Sequence, residues 1–222
     1  MSRSQSALSF VVVATALAVA ALLLAERRGQ RAGVWVAKPL ASTGFVALAL
    51  LRGAADSGYG RWVLAALVLG WLGDVLLIPK GAKRSFAAGL GCFLLGHLAF
   101  AGAFLARGVA WPWLAGGALA VGALAVPVLR WLSPHVPGSL RGAVYAYVAV
   151  ISAMVAAAAG SFGAAGGPTL LAGALGFFAS DLAVARERFV TKSFANKLWG
   201  LPLYYGSQLL LASTAGAGGA PV

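Results

Sequence analysis

Long runs of apolar residues, separated by short polar segments, dominate the sequence. A helix needs about 20 residues to cross the hydrocarbon core of a bilayer. Eight runs approach or reach that length: Ala7–Ala25, Val34–Leu51, Trp62–Ile78, Phe86–Ala106, Trp111–Leu129, Gly142–Ala159, Thr169–Ala185 and Leu198–Ser213. The pattern predicts an all-α, polytopic integral membrane protein. It has a single transmembrane domain over residues 1–222, built as a bundle of about eight helices.

The composition excludes a soluble domain of this length. Hydrophobic residues are 61% of the chain and charged residues are 10%, against about 25% charged residues in soluble domains. The first run is expected to be a span and not a signal peptide, because it is long and is followed by Glu26-Arg27-Arg28. Ala215–Val222, rich in Gly and Ala, is expected to be a disordered tail. The single cysteine, Cys92, excludes a disulfide framework.

Basic residues are divided unequally between the two sides of the predicted bundle. With eight spans, the loops after odd-numbered spans carry twelve Lys and Arg, and the opposite side carries four. The positive-inside rule therefore places the odd-numbered loops in the cytoplasm and both termini outside, in what we expect to be a bacterial inner membrane. The net charge of +12 is then explained by topology and anionic lipid, so no nucleic-acid partner is predicted.

Four ionisable side chains lie inside predicted spans, where such groups are costly and commonly functional. They are Lys38, Asp74, His97 and Asp181. Both aspartates lie four residues before the cytoplasmic end of a span, and Lys38 lies four residues into another span from that same boundary. At a rise of 1.5 Å per residue, all three charges lie about 6 Å inside it. Three charged groups from three helices at one depth indicate a site on the cytoplasmic side.

Each of these groups also has a structural explanation. Lys38 can extend to the interface or pair with an aspartate, and Arg186 is a second possible partner for the aspartates. His97 lies on a helical stripe of phenylalanines and can hydrogen-bond a neighbouring helix. The sequence leaves these alternatives open.

Two carboxyl groups close together in a low-dielectric site favour acid–base chemistry. One keeps its proton and can donate it, while the other stays ionised and can accept one. Asp74 and Asp181 are therefore the predicted catalytic residues, if their helices are neighbours. His97 and His135 cannot supply a three-histidine zinc site, so no metal is predicted.

Several short segments carry distinctive residues in a fixed order along the chain. They are Lys38-Pro39-Leu40 with Ser42-Thr43, Gly73-Asp74-Val75-Leu76-Leu77, Phe86-x-x-Gly89-x-x-x-Phe93-x-x-x-His97, Tyr147-x-x-x-Ile151-Ser152, Ser180-Asp181-Leu182 and Leu203-Tyr204-Tyr205-x-x-Gln208. Together they resemble the YhhN family of integral membrane lysoplasmalogenases, over nearly the whole chain after the first span. The chain departs from the family at Phe100, where the family often has Tyr.

The resemblance implies an ether hydrolase that acts without a cofactor, in an eight-helix bundle. Its substrate would be a lysophospholipid, a lysoplasmalogen, whose vinyl ether bond is cleaved to a fatty aldehyde and glycerophosphocholine or glycerophosphoethanolamine. Asp74 and Asp181 would perform general acid and base catalysis.

The shape of such a substrate suggests further binding residues. Lys38 and Lys197, with Arg186 as a third candidate, would hold the phosphate. Tyr147, Tyr204 and Gln208 would hydrogen-bond the glycerol or the water. His97 lies on the phenylalanine stripe that would flank the alkenyl tail.

Two other function classes remain open at this stage. A proton-coupled small-molecule transporter would also need buried carboxyl groups, although transporter sites usually lie at the midplane. An intramembrane aspartyl protease would also use two aspartates, but the sequence has Trp71-Leu72-Gly73-Asp74 where that class has Gly-x-Gly-Asp.

The charge asymmetry makes the topology testable. A reporter fused after Val222 should be found outside the cytoplasm, because four basic residues face that side and twelve face the other. Paired alkaline phosphatase and green fluorescent protein fusions measure this directly. A fluorescent, phosphatase-inactive C-terminus would contradict the predicted orientation.

Overall fold

The computed structural model describes residues 3–216, and these residues are helical almost throughout. Eight α-helices follow one another: α1 Arg3–Arg28, α2 Arg31–Leu51, α3 Gly58–Leu76, α4 Lys83–Ala106, α5 Trp111–Leu132, α6 Gly138–Ser161, α7 Gly167–Ala185 and α8 Phe194–Ser213. No strand occurs in the described range. The predicted all-α architecture is confirmed. Of the tail predicted to be disordered, residues 217–222 lie outside the described residues.

The helices are apolar enough for a membrane protein. Six helical stretches of the described chain are long and apolar enough to cross a bilayer. One of them, residues 138–190, contains both α6 and α7, and α8 is not among the six. Polar side chains lower the hydropathy of α8, and two of them, Asn196 and Gln208, are buried in the bundle. Eight is therefore an approximate number of spans for this integral membrane protein.

The chain reverses direction between α6 and α7 through a short π-helical segment, Phe162–Gly166. Gly167 follows it with a φ of +69°, a conformation that glycine adopts without steric cost. The hydroxyl of Tyr147 on α6 reaches Asp181 on α7, and these residues lie equally far from residue 164. The two helices therefore run antiparallel.

Six helices form a closed ring. α2, α3, α4, α6, α7 and α8 each pack against the next in that order, and α8 packs back against α2. α1 lies outside the ring against α2 and α8, and α5 lies outside it against α6. Large apolar side chains on these two outer helices are exposed, including Phe10, Leu17 and Leu119. The interior of the ring is thus where polar side chains from six helices meet.

Glycine allows α7 and α8 to pack closely, as small residues do between helices in lipid. A Cβ atom at Gly200 would lie 2.5 Å from the Cβ of Ala183 on α7. In the same helix, a Cβ at Gly206 would meet no atom within 4 Å. The two positions therefore differ in packing while sharing the backbone conformation of one helix.

These two glycines give a matched test of the α7–α8 contact. Gly200→Ala should lower the melting temperature of the purified protein, because overpacking costs about 1–3 kcal/mol. Gly206→Ala should leave it unchanged or raise it slightly, because alanine favours helix by up to about 1 kcal/mol. Thermal unfolding in one detergent measures both. Equal melting temperatures for the two variants would contradict the packing described.

Candidate active site

Asp74 of α3 lies in a buried polar cluster with residues of α2 and α8. Its Oδ1 is 3.2 Å from the Nζ of Lys38, and the side chain is 4% exposed. Its Oδ2 accepts hydrogen bonds from the hydroxyls of Ser42 at 2.6 Å and Tyr204 at 3.0 Å. The Tyr205 hydroxyl lies 3.3 Å from the Ser42 hydroxyl. A cation and two hydroxyl donors therefore support the ionised carboxylate.

Local helix geometry explains how this cluster forms. Lys38 and Ser42 are one turn apart on α2 and therefore share a face. Tyr204 and Tyr205 are neighbours on α8, and both rings contact Phe45 with centroids 6.2 Å away. The aromatic contacts hold the two hydroxyls over the same face of α2.

Asp181 of α7 lies in a second cluster, with residues of α4 and α6. The Tyr147 hydroxyl donates a hydrogen bond to its Oδ2 at 2.8 Å. The Nε2 of His97 is 3.6 Å from the same oxygen, which is longer than a hydrogen bond. No Lys or Arg forms an ion pair with Asp181 among the described residues. This carboxyl group therefore lacks the cation that Asp74 has.

His97 is held in one orientation. Its ring is fully buried, and its Nδ1 lies 2.7 Å from the carbonyl oxygen of Phe93 one turn earlier. A carbonyl only accepts, so Nδ1 carries a proton and Nε2 faces Asp181. The ring also packs on Tyr147 and on Phe177, with centroids 5.4 Å and 4.4 Å away. The His97 ring therefore has a fixed position beside the Asp181 carboxyl group.

A layer of aromatic side chains joins the two clusters. The Phe177 ring lies 4.4 Å from His97 and 5.4 Å from Tyr204, between centroids. Tyr204 in turn donates to Asp74. No hydrogen bond joins the two carboxyl groups among residues 3–216, and each has its own partners. That the two aspartates share a proton stays a prediction.

Two other predicted binding residues have clear surroundings. The Nζ of Lys197 is 2.6 Å from Glu26 on α1, so an acidic partner already neutralises this charge. Gln208 is fully buried, and its amide makes no hydrogen bond among the described residues. A Cβ at Gly70 would lie 3.0 Å from the Gln208 Nε2 and 3.3 Å from the Tyr204 hydroxyl. The Gln208 amide therefore lies close to the Asp74 cluster and retains free donors and acceptors.

A cleft between α4, α5, α6 and α7 reaches Asp181, and we call it the Asp181 cleft. Its lining is apolar except for Tyr147, Asp181 and Arg188. The apolar members are Phe86, Leu90, Val128, Leu132, Val144, Val148, Ile151, Phe178, Leu182, Val184, Ala185 and Phe189. Asp74 is not part of this lining. Asp181, and not Asp74, is therefore the carboxyl group that contacts this cleft.

Sequence reasoning did not select Ser42, Tyr205 or Arg188 as site residues. Ser42 lies four residues after Lys38, and Tyr205 follows Tyr204, so helical spacing was a usable signal for Ser42. Arg188 was counted with the topological charges, because nothing in its sequence context separates it from Arg186. The Arg186 guanidinium donates to the Asn196 side chain at 3.3 Å and is not part of the cleft lining.

These features define a class: a helical integral membrane protein with one buried and one partly buried carboxyl group, the second of them on an apolar cleft. Within that class, the model of the YhhN family matches residues 33–215, and the chain belongs to this family. The resemblance found in the sequence is thus confirmed.

Curated relatives carry a specific name. The proteins named lysoplasmalogenase from Mycobacterium bovis and Mycobacterium tuberculosis are each 34% identical to the chain over 151 residues. The aligned region is 65% of this chain and 55% of each relative. The match therefore spans about half the length of these relatives. No solved structure matches the chain.

The Lys38–Asp74 pair should contribute strongly to stability. Lys38→Met should destabilise the protein by about 3–5 kcal/mol, because it leaves a buried carboxylate without its cation. The double variant Lys38→Met/Asp74→Asn should recover part of that loss. Lys197→Met is the control and should have a smaller effect, because the Lys197–Glu26 pair is more exposed, at 27% and 15%. Unfolding in detergent measures all three. A Lys38→Met variant as stable as the unmodified protein would contradict the ion pair's role.

Proposed function

We propose that this protein is a lysoplasmalogenase, which hydrolyses the vinyl ether bond of an alkenyl lysophospholipid to a fatty aldehyde and a glycerophospho-base. Membership of the YhhN family and the name of the mycobacterial relatives support this substrate class. The observation that carries the proposal is the carboxyl group of Asp181, which lines a mostly apolar cleft and accepts a hydrogen bond from Tyr147.

Hydrolysis of a vinyl ether requires an acid beside the alkenyl carbons. Vinyl ether hydrolysis begins with proton transfer to the alkenyl carbon that is β to the oxygen, which leaves an oxocarbenium ion. Water then adds to the cationic carbon and loses a proton, and the resulting hemiacetal collapses to aldehyde and alcohol. The products together contain the atoms of the substrate and one water.

Asp181 is the proposed proton donor. It lines the cleft, and no Lys or Arg forms an ion pair with it in the described chain. No neighbouring cation therefore opposes protonation of this carboxyl group. Tyr147, which donates to its Oδ2, fixes which oxygen faces the substrate. His97 packs beside it and limits its rotation. Positioned acid catalysis of this kind contributes about 10²–10⁴-fold to a rate.

Asp74 is the proposed general base of the reaction. Its oxygens contact Lys38 and two hydroxyls, and one of these, from Tyr204, extends toward the aromatic layer. The free amide of Gln208 beside Tyr204 is suited to hold the attacking water or a glycerol hydroxyl. Asp74 would then accept the proton that the water releases, through Tyr204.

Amide substitutions test both carboxyl groups. Asp181→Asn and Asp74→Asn should each lower aldehyde release from a purified lysoplasmalogen about 10²–10⁴-fold, because each removes one proton-transfer group. Asp56→Asn is the matched control, since Asp56 is an exposed acid in the loop before α3, and it should keep full activity. Size-exclusion profiles and melting temperatures show whether each variant is folded.

The outcomes separate the alternatives. Loss of activity in folded Asp181→Asn with normal activity in Asp74→Asn would make Asp74 a structural ion-pair partner only. Near-normal turnover by both variants would exclude the two-aspartate mechanism. Solute flux into liposomes without aldehyde release would favour the transporter.

A further inference from the structure

Arg188 is the basic residue of the Asp181 cleft. It follows α7 in a π-helical segment, Arg186–Val190, seven residues after Asp181. The first four of these residues continue α7 and the rest belong to the π-helical segment, so the two residues are about 10 Å apart along the axis. Both belong to the cleft lining.

The guanidinium of Arg188 is oriented but is not neutralised. Its central carbon lies 4.1 Å from the centroid of the Phe86 ring. Stacking on an aromatic face leaves the N–H edges of a guanidinium free to bind an anion. Arg188 forms no ion pair among the described residues. The adjacent acid, Glu187, accepts hydrogen bonds from the Ser193 backbone and the Asn196 side chain instead.

The other basic residues considered for a phosphate are already engaged. Lys38 is paired with Asp74 and Lys197 with Glu26, while Arg186 donates to Asn196. None of the three belongs to the cleft lining. Arg188 is therefore the side chain in the lining that can offer an unpaired positive charge.

The lining changes in character along the cleft in a fixed order. Arg188 lies at the end of the helix, Asp181 lies two turns further in, and Phe178 lies nearly one turn beyond it. On the antiparallel α6, Tyr147 lies level with Asp181 and Ile151 lies one turn deeper. From the end of α7 inward, the lining thus offers a cation, then a carboxyl group, then apolar side chains.

We propose that Arg188 binds the phosphodiester of the lysophospholipid and so determines specificity for phosphorylated substrates. A lysoplasmalogen has the same order of groups: phosphate, vinyl ether, hydrocarbon chain. Seven covalent bonds separate its phosphorus from the alkenyl carbon that receives the proton, which is about 8–9 Å when extended. The long Arg188 side chain extends far enough to make up the difference from the axial separation. This inference rests on the proposed function and names the group that selects its substrate.

Paired substrates test the assignment. Arg188→Ala should raise KM for an alkenyl glycerophosphocholine about 10- to 100-fold, the effect of one lost charge-assisted hydrogen bond, with little change in kcat. It should leave KM for a neutral alkenylglycerol unchanged. Arg188→Lys should keep part of the affinity, because lysine retains the positive charge but lacks the paired N–H donors of the guanidinium. Lys192→Ala, which removes an exposed cation of the next loop, should behave as the unmodified protein does.

A binding measurement separates failure of this inference from failure of the proposed reaction. A saturated 1-O-alkyl glycerophosphocholine lacks the vinyl ether, and its affinity for the folded Asp181→Asn variant can be measured by calorimetry in maltoside micelles. If the additional Arg188→Ala substitution weakens this binding but the unmodified protein hydrolyses no vinyl ether, the phosphate site is retained and the proposed reaction is overturned.

Turnover with equal effects of Arg188→Ala on the charged and neutral substrates would overturn the phosphate site alone. Competition by millimolar inorganic phosphate as strong as by the alkyl lipid would overturn the lipid assignment, in favour of a free-anion site. Weak competition by inorganic phosphate is the expected result.

Discussion

The interior of this bundle is organised by the need to satisfy polar groups that lipid cannot solvate. A charge inside a membrane protein is costly unless it finds its partner within the protein. The ring of six helices meets this need at Asp74, where an ammonium from α2 and hydroxyls from α2 and α8 meet one carboxylate from α3. These contacts fix the relative positions of three helices and so shape the rest of the interior.

The two aspartates consequently have different surroundings despite their similar positions in sequence. Asp74 has a cation and lies away from the apolar cleft, whereas Asp181 has a tyrosine donor and lies on it. The aromatic layer between them connects Tyr204 to His97 through Phe177. Environment, more than residue type, divides the proposed acid from the proposed base.

Much of this fold was predictable because membrane helices are long apolar runs, and each predicted span overlaps a helix. Helical rise also indicated that Lys38 and Asp74 lie at one level, and the two side chains are in contact; the common depth of Asp181 stays a prediction. The partner of each group was not readable, because it depends on which helices are neighbours in the ring. The sequence left open whether Lys38 pairs with Asp74 or extends to the interface. Arg188 could not be told apart from the other loop cations by sequence, and only its place in the cleft lining distinguishes it.

The central claim is that the Asp181 cleft protonates a vinyl ether carbon, and isotope transfer tests it most directly. When the purified protein hydrolyses a lysoplasmalogen in D₂O, trapped fatty aldehyde should carry one deuterium on the carbon next to the carbonyl group, and the rate should fall relative to H₂O. Equal rates in H₂O and D₂O, or no aldehyde from a folded protein in lipid, would contradict the account.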